Sequence, residues 1–301
     1  MIRATAAEGQ IRAFAVSSAA LCEFAAKAHK TTPVAAAALG RTMSAALMMA
    51  DMLKGEKDLI TLRIEGDGPL GSVTATADNA GHVKGYVSNP LVLLPPKADG
   101  HLDVGRAVGK GMLTVIRDLD LKNTYTGQVE LQSGEIAEDV ARYFAESEQV
   151  PSAVGLGVLV SGSGESAKVH QAGGYIIQLM PFAENGIIDR LEQNIKAAPY
   201  VTDMLSEGHT PESMLGLLLD GLGLSINDRS PVEFYCNCSR ERVERALLLL
   251  GKEELSSIAN APEATVLTCQ FCRKAYPFSK AELLRLCSEI LSSSTDKNSN
   301  E

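Results

Sequence analysis

Four of the six cysteines in this chain are grouped as Cys236-Asn237-Cys238 and, after 30 intervening residues, Cys269-Gln270-Phe271-Cys272. Two close pairs of thiols can converge on one ion with little backbone search, and four thiolates complete a tetrahedral zinc. One zinc held by Cys236, Cys238, Cys269 and Cys272 is therefore the leading expectation. Zinc keeps sulfur in the thiolate form, which is also the form that oxidants attack. The same four residues thus suit a purely structural zinc ribbon or a redox centre. Arg240, Arg242, Arg273 and Lys274 lie beside the pairs in sequence and are candidates to stabilise thiolate charge. Cys22 and Cys287 are isolated and read as small buried residues.

The remaining motifs carry less chemistry. Gly66-Asp67-Gly68-Pro69-Leu70-Gly71 matches GxGxxG, but the strand-like Ser72 to Ala77 follows where a dinucleotide site needs a helix N-terminus, so it reads as a turn. Gly105 to Gly111 contains a Gly-Lys pair, yet Gly111 stands where a phosphate loop needs Ser or Thr. No HExxH or GxSxG pattern occurs, and His29, His82, His101, His170 and His209 are scattered.

The elements that must position the cysteines fall into stretches of different texture. From Ile11 to about Met180, strand-like runs predominate: Ile11 to Val16, Leu59 to Glu65, Ser72 to Ala77, His82 to Ser88, Leu113 to Asp118, Thr126 to Leu131, Ala153 to Val160 and Tyr175 to Met180. The short turn Asp78 to Gly81 favours an antiparallel hairpin. Helical patterns at Ala19 to His29, Pro33 to Leu53 and Glu135 to Glu148 lie between groups of strands, which is an α+β layout. Pro33 to Leu53 is apolar enough to be mistaken for a membrane span, but Arg41 and Asp51 interrupt it, and a buried core helix is expected. Residues 1–181 are accordingly expected to form an N-terminal α+β core domain of mixed sheet and helix.

Residues 182–230 read as an amphipathic helical linker, with Ile187, Ile188, Leu191 and Ile195 on one stripe and Met214, Leu215, Leu218, Leu219 and Leu222 on another. Isolated helices of this length are marginal in water, so the stripes must lie on another surface. Residues 231–291 read as a small C-terminal four-cysteine zinc-binding domain, with one helix capped by Ser239 and closed by Gly251 and a second from Ser279 to Ser292. An apolar core of this size usually needs a metal as supplement. The polar tail 292–301 is expected to be disordered.

Bulk composition narrows the partners. With 28 basic against 37 acidic residues, the formal net charge is -9, which opposes binding to phosphate backbones. Trp is absent and aromatics make up 5%, so base-stacking platforms are scarce. No nucleic-acid or membrane partner is expected. Met1 to Gln10 lacks the apolar core of a secretory signal, so a cytoplasmic location is expected, where thiols stay reduced and structural disulfides are rare.

The run Phe234-Tyr-Cys236-Asn-Cys238-Ser-Arg-Glu-Arg-Val243, the helix ending Leu250-Gly251, the following Lys252-Glu-Glu-Leu255 and Cys269-Gln-Phe-Cys272 closely resemble the heat-shock protein 33 family, the 33 kDa redox-regulated chaperonin of bacteria. The likeness extends to Gly66-Asp-Gly-Pro-Leu-Gly71, Gly81-His-Val-Lys-Gly-Tyr-Val-Ser-Asn-Pro90 and Gly173-Gly-Tyr-Ile-Ile-Gln-Leu-Met-Pro181, and so covers nearly the whole chain. The resemblance implies a reduced, zinc-bound, inactive resting state and an oxidised holdase that binds unfolding or partly folded client proteins without ATP. It also implies that oxidation pairs Cys236 with Cys238 and Cys269 with Cys272, and that the active form becomes a homodimer. A Cys236 to Cys238 bridge would close a very small ring, and strained disulfides of that kind are readily reduced.

Physical reasoning supports the sequence of events. Structural zinc contributes on the order of 10 kcal/mol of apparent binding energy that is also folding energy, whereas short-range disulfides constrain little chain. Losing the ion should unfold the module and linker and uncover apolar surface. The chain is therefore expected to be a chaperone and not an enzyme. The alternatives are a dithiol-disulfide oxidoreductase using Cys269 and Cys272, which lacks a thioredoxin-like context, and a zinc-ribbon nucleic-acid binder, which the acidic balance opposes.

Overall fold

The period-two runs become strands and the Ala-rich runs become helices in the computed structural model of the chain, which describes residues 1–120, 124–162, 164, 167–261 and 265–295, with backbone alone for 289–295. Two compact units divide the chain, Met1–Tyr235 and Cys236–Glu301.

The first unit contains, in order, β1 (Ile2–Ala6), β2 (Ile11–Ser17), α1 (Ala19–His29), α2 (Pro33–Ala50), β3 (Leu59–Gly66), β4 (Ser72–Asp78), β5 (His82–Val87), α3 (Val104–Val108), β6 (Gly111–Asp118), β7 (Tyr125–Glu130), α4 (Ala137–Glu146), β8 (Ser152–Ser161) and β9 (Lys168–Leu179). Then follow α5 (Asn185–Ala197), α6 (Val201–Ser206), α7 (Pro211–Leu218), β10 (Ser225–Arg229) and β11 (Glu233–Phe234). One sheet has the order β10-β1-β2-β9-β8 and the other β11-β5-β4-β3-β6-β7. The expected hairpin is present, with β4 antiparallel to β5, and the GxGxxG stretch is the turn joining β3 to β4.

Helix α2 explains the layering. Its Ala and Met positions are buried almost all round, with Leu39, Met43, Leu47 and Met48 at 1% exposure or less. Small side chains let it share one core with residues of both sheets, among them Phe14 and Ile176 of one and Ile60, Leu62 and Val73 of the other. It has the length and composition of a membrane span, yet 89% of it is buried within the fold.

Strand β2 shows how the first sheet comes to have two covered faces. Its alternation sends Phe14 and Val16 into the core with α2, while Ile11, Ala13 and Ala15 face a second cluster. A strand buried on both sides reads as a continuous apolar run, as this one does. Strand β1 escapes the sequence patterns because Ile2, Ala4 and Ala6 form a weak, small-residue face. Strand β10 escapes them because Ile226 is its one apolar residue, and its place comes from backbone pairing with β1. The stretch expected to be helical through residue 230 therefore ends in a strand.

The second unit contains α8 (Arg240–Leu249), α9 (Lys252–Ala259), β12 (Thr265–Thr268), β13 (Ala275–Phe278) and α10 (Lys280–Thr295). Ser239 caps α8 by accepting from the Arg242 N–H, and Gly251 follows that helix with φ 86°, a conformation that glycine adopts without the strain of a side chain. Helix α10 runs to Thr295, within the tail expected to be disordered. The rest of that tail, 296–301, lies outside the described residues.

Candidate metal centre and a covered apolar face

Each cysteine pair is placed by a tight local structure. Cys236 and Cys238 lie just before the Ser239 cap of α8. Cys269 and Cys272 sit in the turn of the β12–β13 hairpin, where the Cys269 N–H donates to Lys274 O at 2.9 Å and the Arg273 N–H donates to Cys269 O at 2.9 Å. Arg273 takes φ 61° to close that turn.

These two turns bring all four Sγ atoms within 4.8 Å of one another. Cys236 and Cys269 are 3.7 Å apart, and Cys238 and Cys272 are 3.3 Å apart. Tetrahedral zinc with bonds of about 2.3 Å requires sulfurs about 3.8 Å apart, so the donor set fits such an ion in number, softness and spacing. The backbone amides of Cys238 and Lys274 favour the charged forms of Cys236 and Cys272 respectively.

The sulfurs differ in their surroundings. Burial opposes charge on Cys238, but hydrogen bonds from Tyr276, Cys272, Cys236 and Cys269 outweigh it and bring that thiol down to about 7. Burial pushes Cys236 and Cys272 above the usual thiol range. The Tyr276 hydroxyl, donating to Cys238 Sγ at 3.1 Å, is itself raised by that bond.

Two of the basic residues named from the sequence make contacts within the unit. Arg240 bonds to Glu282 at 2.6 Å and to Pro277 O at 2.9 Å and lies over the Phe278 ring, so it ties α8 to β13 and α10. Lys274 places its ammonium 5.4 Å from the Tyr276 ring centre. Tyr276 was the residue that sequence reasoning missed, because an alternating strand residue gives no sign of where its hydroxyl ends. Among the described residues the apolar core around it is one small cluster, with Leu247, Leu255, Phe278, Leu283, Leu286 and Cys287 buried. Cys22 is buried in the other unit, its thiol raised to about 12 by burial.

The first unit holds a second feature of interest. Ile2, Ala4, Ala6, Ile11, Ala13, Ala15, Tyr175 and Ile177 make one face of a sheet, and α5 to α7 with the following turn lay Leu191, Met204, Leu205, Met214, Leu215, Leu218, Leu219 and Leu222 across it. The stripes expected from the sequence thus meet a sheet.

A family model described as Hsp33 protein matches residues 1–279. The chain belongs to the Hsp33 family. A 33 kDa chaperonin of Agathobacter rectalis is 53% identical over 94% of this chain and 97% of its own length. That of Clostridioides difficile is 46% identical over 96% and 99%. The crystal structure of a 33 kDa chaperonin, an Hsp33 homologue from Thermotoga maritima, superimposes with a TM-score of 0.88 at 35% identity, covering 96% of this chain and 98% of that one. Membership in Hsp33, whose members bear a chaperonin name, supports a chaperone, and the α+β fold expected from the sequence is the fold of this family.

Proposed function

We propose that this Hsp33 chain is a cytoplasmic, redox-regulated holdase, inactive while Cys236, Cys238, Cys269 and Cys272 are reduced. The observation that carries the reading is the convergence of four sulfurs within 4.8 Å in a unit whose apolar core, among the described residues, is one small cluster. Zinc bound there would keep the four sulfurs as thiolates and add its binding energy to the stability of residues 236–301.

Oxidation removes that donor set. With hydrogen peroxide, one thiolate takes an oxygen as the O–O bond breaks, and a second thiolate displaces it to form the disulfide. Each pair of thiolates thus gives two electrons to one peroxide, which leaves as two hydroxides that take up two protons from solvent. The family resemblance assigns the pairs as Cys236 with Cys238 and Cys269 with Cys272. Loops this short recover little of the lost stability.

The unfolded module then pulls on a chain that is lightly held. Strand β11 has two residues and β10 a single apolar one, and both precede Cys236 directly. Release of residues 185–229 exposes the Ile2 to Ile177 sheet face, and clients dock on the apolar surface laid bare. The resemblance adds a homodimer on activation. Suppression of aggregation of a denatured client, measured before and after peroxide treatment, tests the reading; equal protection in both states removes the switch.

A further inference from the structure

His82 opens β5 beside the short strand with which the first unit ends. Its Nδ1 lies 3.0 Å from Asp78 Oδ2, its Nε2 lies 3.4 Å from Glu233 Oε1, and its ring centre lies 4.6 Å from that of Tyr235. Asp78 is set by the turn between β4 and β5: its Oδ1 accepts from the Ala80 N–H at 3.0 Å and from the His82 N–H at 3.1 Å. Glu233 belongs to β11, which lies on β5 through the bonds from Glu233 N–H to Gly81 O and from Tyr235 N–H to Val83 O. One imidazole thus stands between a carboxylate fixed in the sheet and a carboxylate carried by the strand that leads out of it. Among the described residues, Asp78, Glu233 and the Tyr235 phenol are the titratable groups facing the ring. Lys84 and Tyr86 follow along β5 on the same side of the sheet. Helices α1 and α2 pack on the opposite side, where Val83 and Val87 are buried. The charges of those helices are engaged elsewhere, Lys27 with Glu23 at 2.8 Å and Arg41 with Glu135 at 2.7 Å, and His29 is buried.

We propose that His82 is a proton-operated latch on β11, a positioning residue that acts through Glu233 to set how readily residues 233–235 leave the sheet. A neutral imidazole has one N–H and a protonated one has two. The Asp78 carboxylate, held by its turn, keeps the single N–H on Nδ1, as a carboxylate fixes a histidine tautomer. Neutral His82 therefore turns the lone pair of Nε2 toward Glu233 Oε1, and two acceptors face each other. Protonation places an N–H on Nε2, and the same contact becomes an attraction between opposite charges. In acid the ring ties β11 to Asp78. Toward alkaline pH that tie is lost, and β11 keeps its backbone bonds to β5 and the contact of Phe234 with Phe24. Because β11 has two residues, one side-chain tie is a large share of what holds it. Imidazole changes charge between about pH 5 and pH 8, so the latch works within the physiological range. The latch stands on this geometry alone; its control of the switch rests on the redox reading above, in which the chain before Cys236 must come away.

The test is amide exchange of the reduced full chain at about pH 6 and about pH 8, each rate divided by that of an unstructured peptide at the same pH. Protection of the Glu233 and Tyr235 amides should fall by roughly two- to fivefold from the lower to the higher pH, the range of a part-exposed ion pair, while protection within β3 stays constant. Glu233→Gln sets an amide N–H opposite Nε2 and should hold β11 equally at both pH values; the Glu233 side chain is exposed, so the substitution leaves the fold intact. His82→Gln, which has no titrating ring, should also remove the pH dependence. A native profile without pH dependence, or one that both variants retain, overturns the latch. For the switch, the peroxide dose giving half-maximal client protection is compared between native and Glu233→Gln at each pH, so that the direct effect of pH on thiol oxidation cancels. The ratio of native to variant dose should be higher at pH 6 than at pH 8, and a ratio independent of pH overturns control of the switch by His82. If peroxide changes client protection in neither protein, the redox reading falls, and the exchange profile still decides the latch.

Discussion

Cys238 Sγ lies 3.3 Å from Cys272 Sγ although 34 positions separate them. Among the described residues of that unit the apolar core is one small cluster, so on the proposed function an ion held by these sulfurs adds much of the unit's stability. Replacement of Cys272 by Ser should therefore reduce bound metal well below one equivalent and remove helical signal from α8 to α10, while the strands of the first unit keep their hydrogen-exchange protection. Metal analysis with exchange mass spectrometry reads both; stoichiometric metal in the variant would argue against the four-sulfur site.

How much of this was legible beforehand depended on the kind of signal. The cysteines announced themselves because ligand chemistry is written in residue type and spacing. Strands such as β3 and helix α1 were visible through period two and period 3.6. Strand β10 was not, because the polar Ser225, Asp228 and Arg229 are held by β1 through their backbones. The β12–β13 hairpin and α9 were missed as well, and with them the placement of Tyr276 against Cys238, since cross-strand proximity has no one-dimensional signature. The pairing of α5 to α7 with a sheet face was half legible: the stripes were plain, their partner was not.

Leu218 is fully buried between α7 and that sheet face. Leu218→Ala should cost about 2–5 kcal/mol of the stability of this packing, through lost burial and the cavity left behind. On the proposed function the cover should open more readily, so aggregation of a denatured client should be suppressed at lower peroxide than the native protein needs. A variant that is destabilised yet needs as much peroxide as native would separate the cover from the switch.

The chain leading into Cys236 is anchored at Gly81. The Glu233 N–H donates to Gly81 O at 3.0 Å and Tyr235 N–H to Val83 O at 2.9 Å, with the Phe234 ring 4.7 Å from that of Phe24. Gly81 has φ 88°, and a side chain there would collide with Pro231 O. Gly81→Ala should displace residues 231–235 and raise amide exchange of β11 and β10 in the reduced protein. Phe24→Ala, which removes the ring contact without backbone strain, should act in the same direction and more weakly.

Asp51 supplies a pH prediction. It is 6% exposed, its Oδ2 lacks a hydrogen bond, and burial raises its carboxyl above the ordinary aspartate value, with Arg3 opposing and Asp228 reinforcing the rise. The folded protein therefore holds this proton to higher pH than the unfolded chain does. The stability conferred by protonated Asp51 is present below the ordinary aspartate range and is lost as pH rises through the folded value. Asp51→Asn should accordingly raise the melting temperature of the first unit at pH 7, with the gain shrinking as the solution is acidified. Arg3 keeps its 3.1 Å ion pair with Asp228 on β10 in that variant, so the strand pairing should survive.

The central claim is that oxidising four sulfurs in one unit uncovers a sheet face in the other. Hydrogen exchange of the reduced and the peroxide-oxidised protein, resolved by peptide, addresses it most directly. The account predicts that oxidation abolishes protection across residues 236–288 and 185–229 and leaves α2 and strands β3 to β6 protected. Unchanged protection of residues 185–229 in a fully oxidised protein that nonetheless holds clients would contradict it.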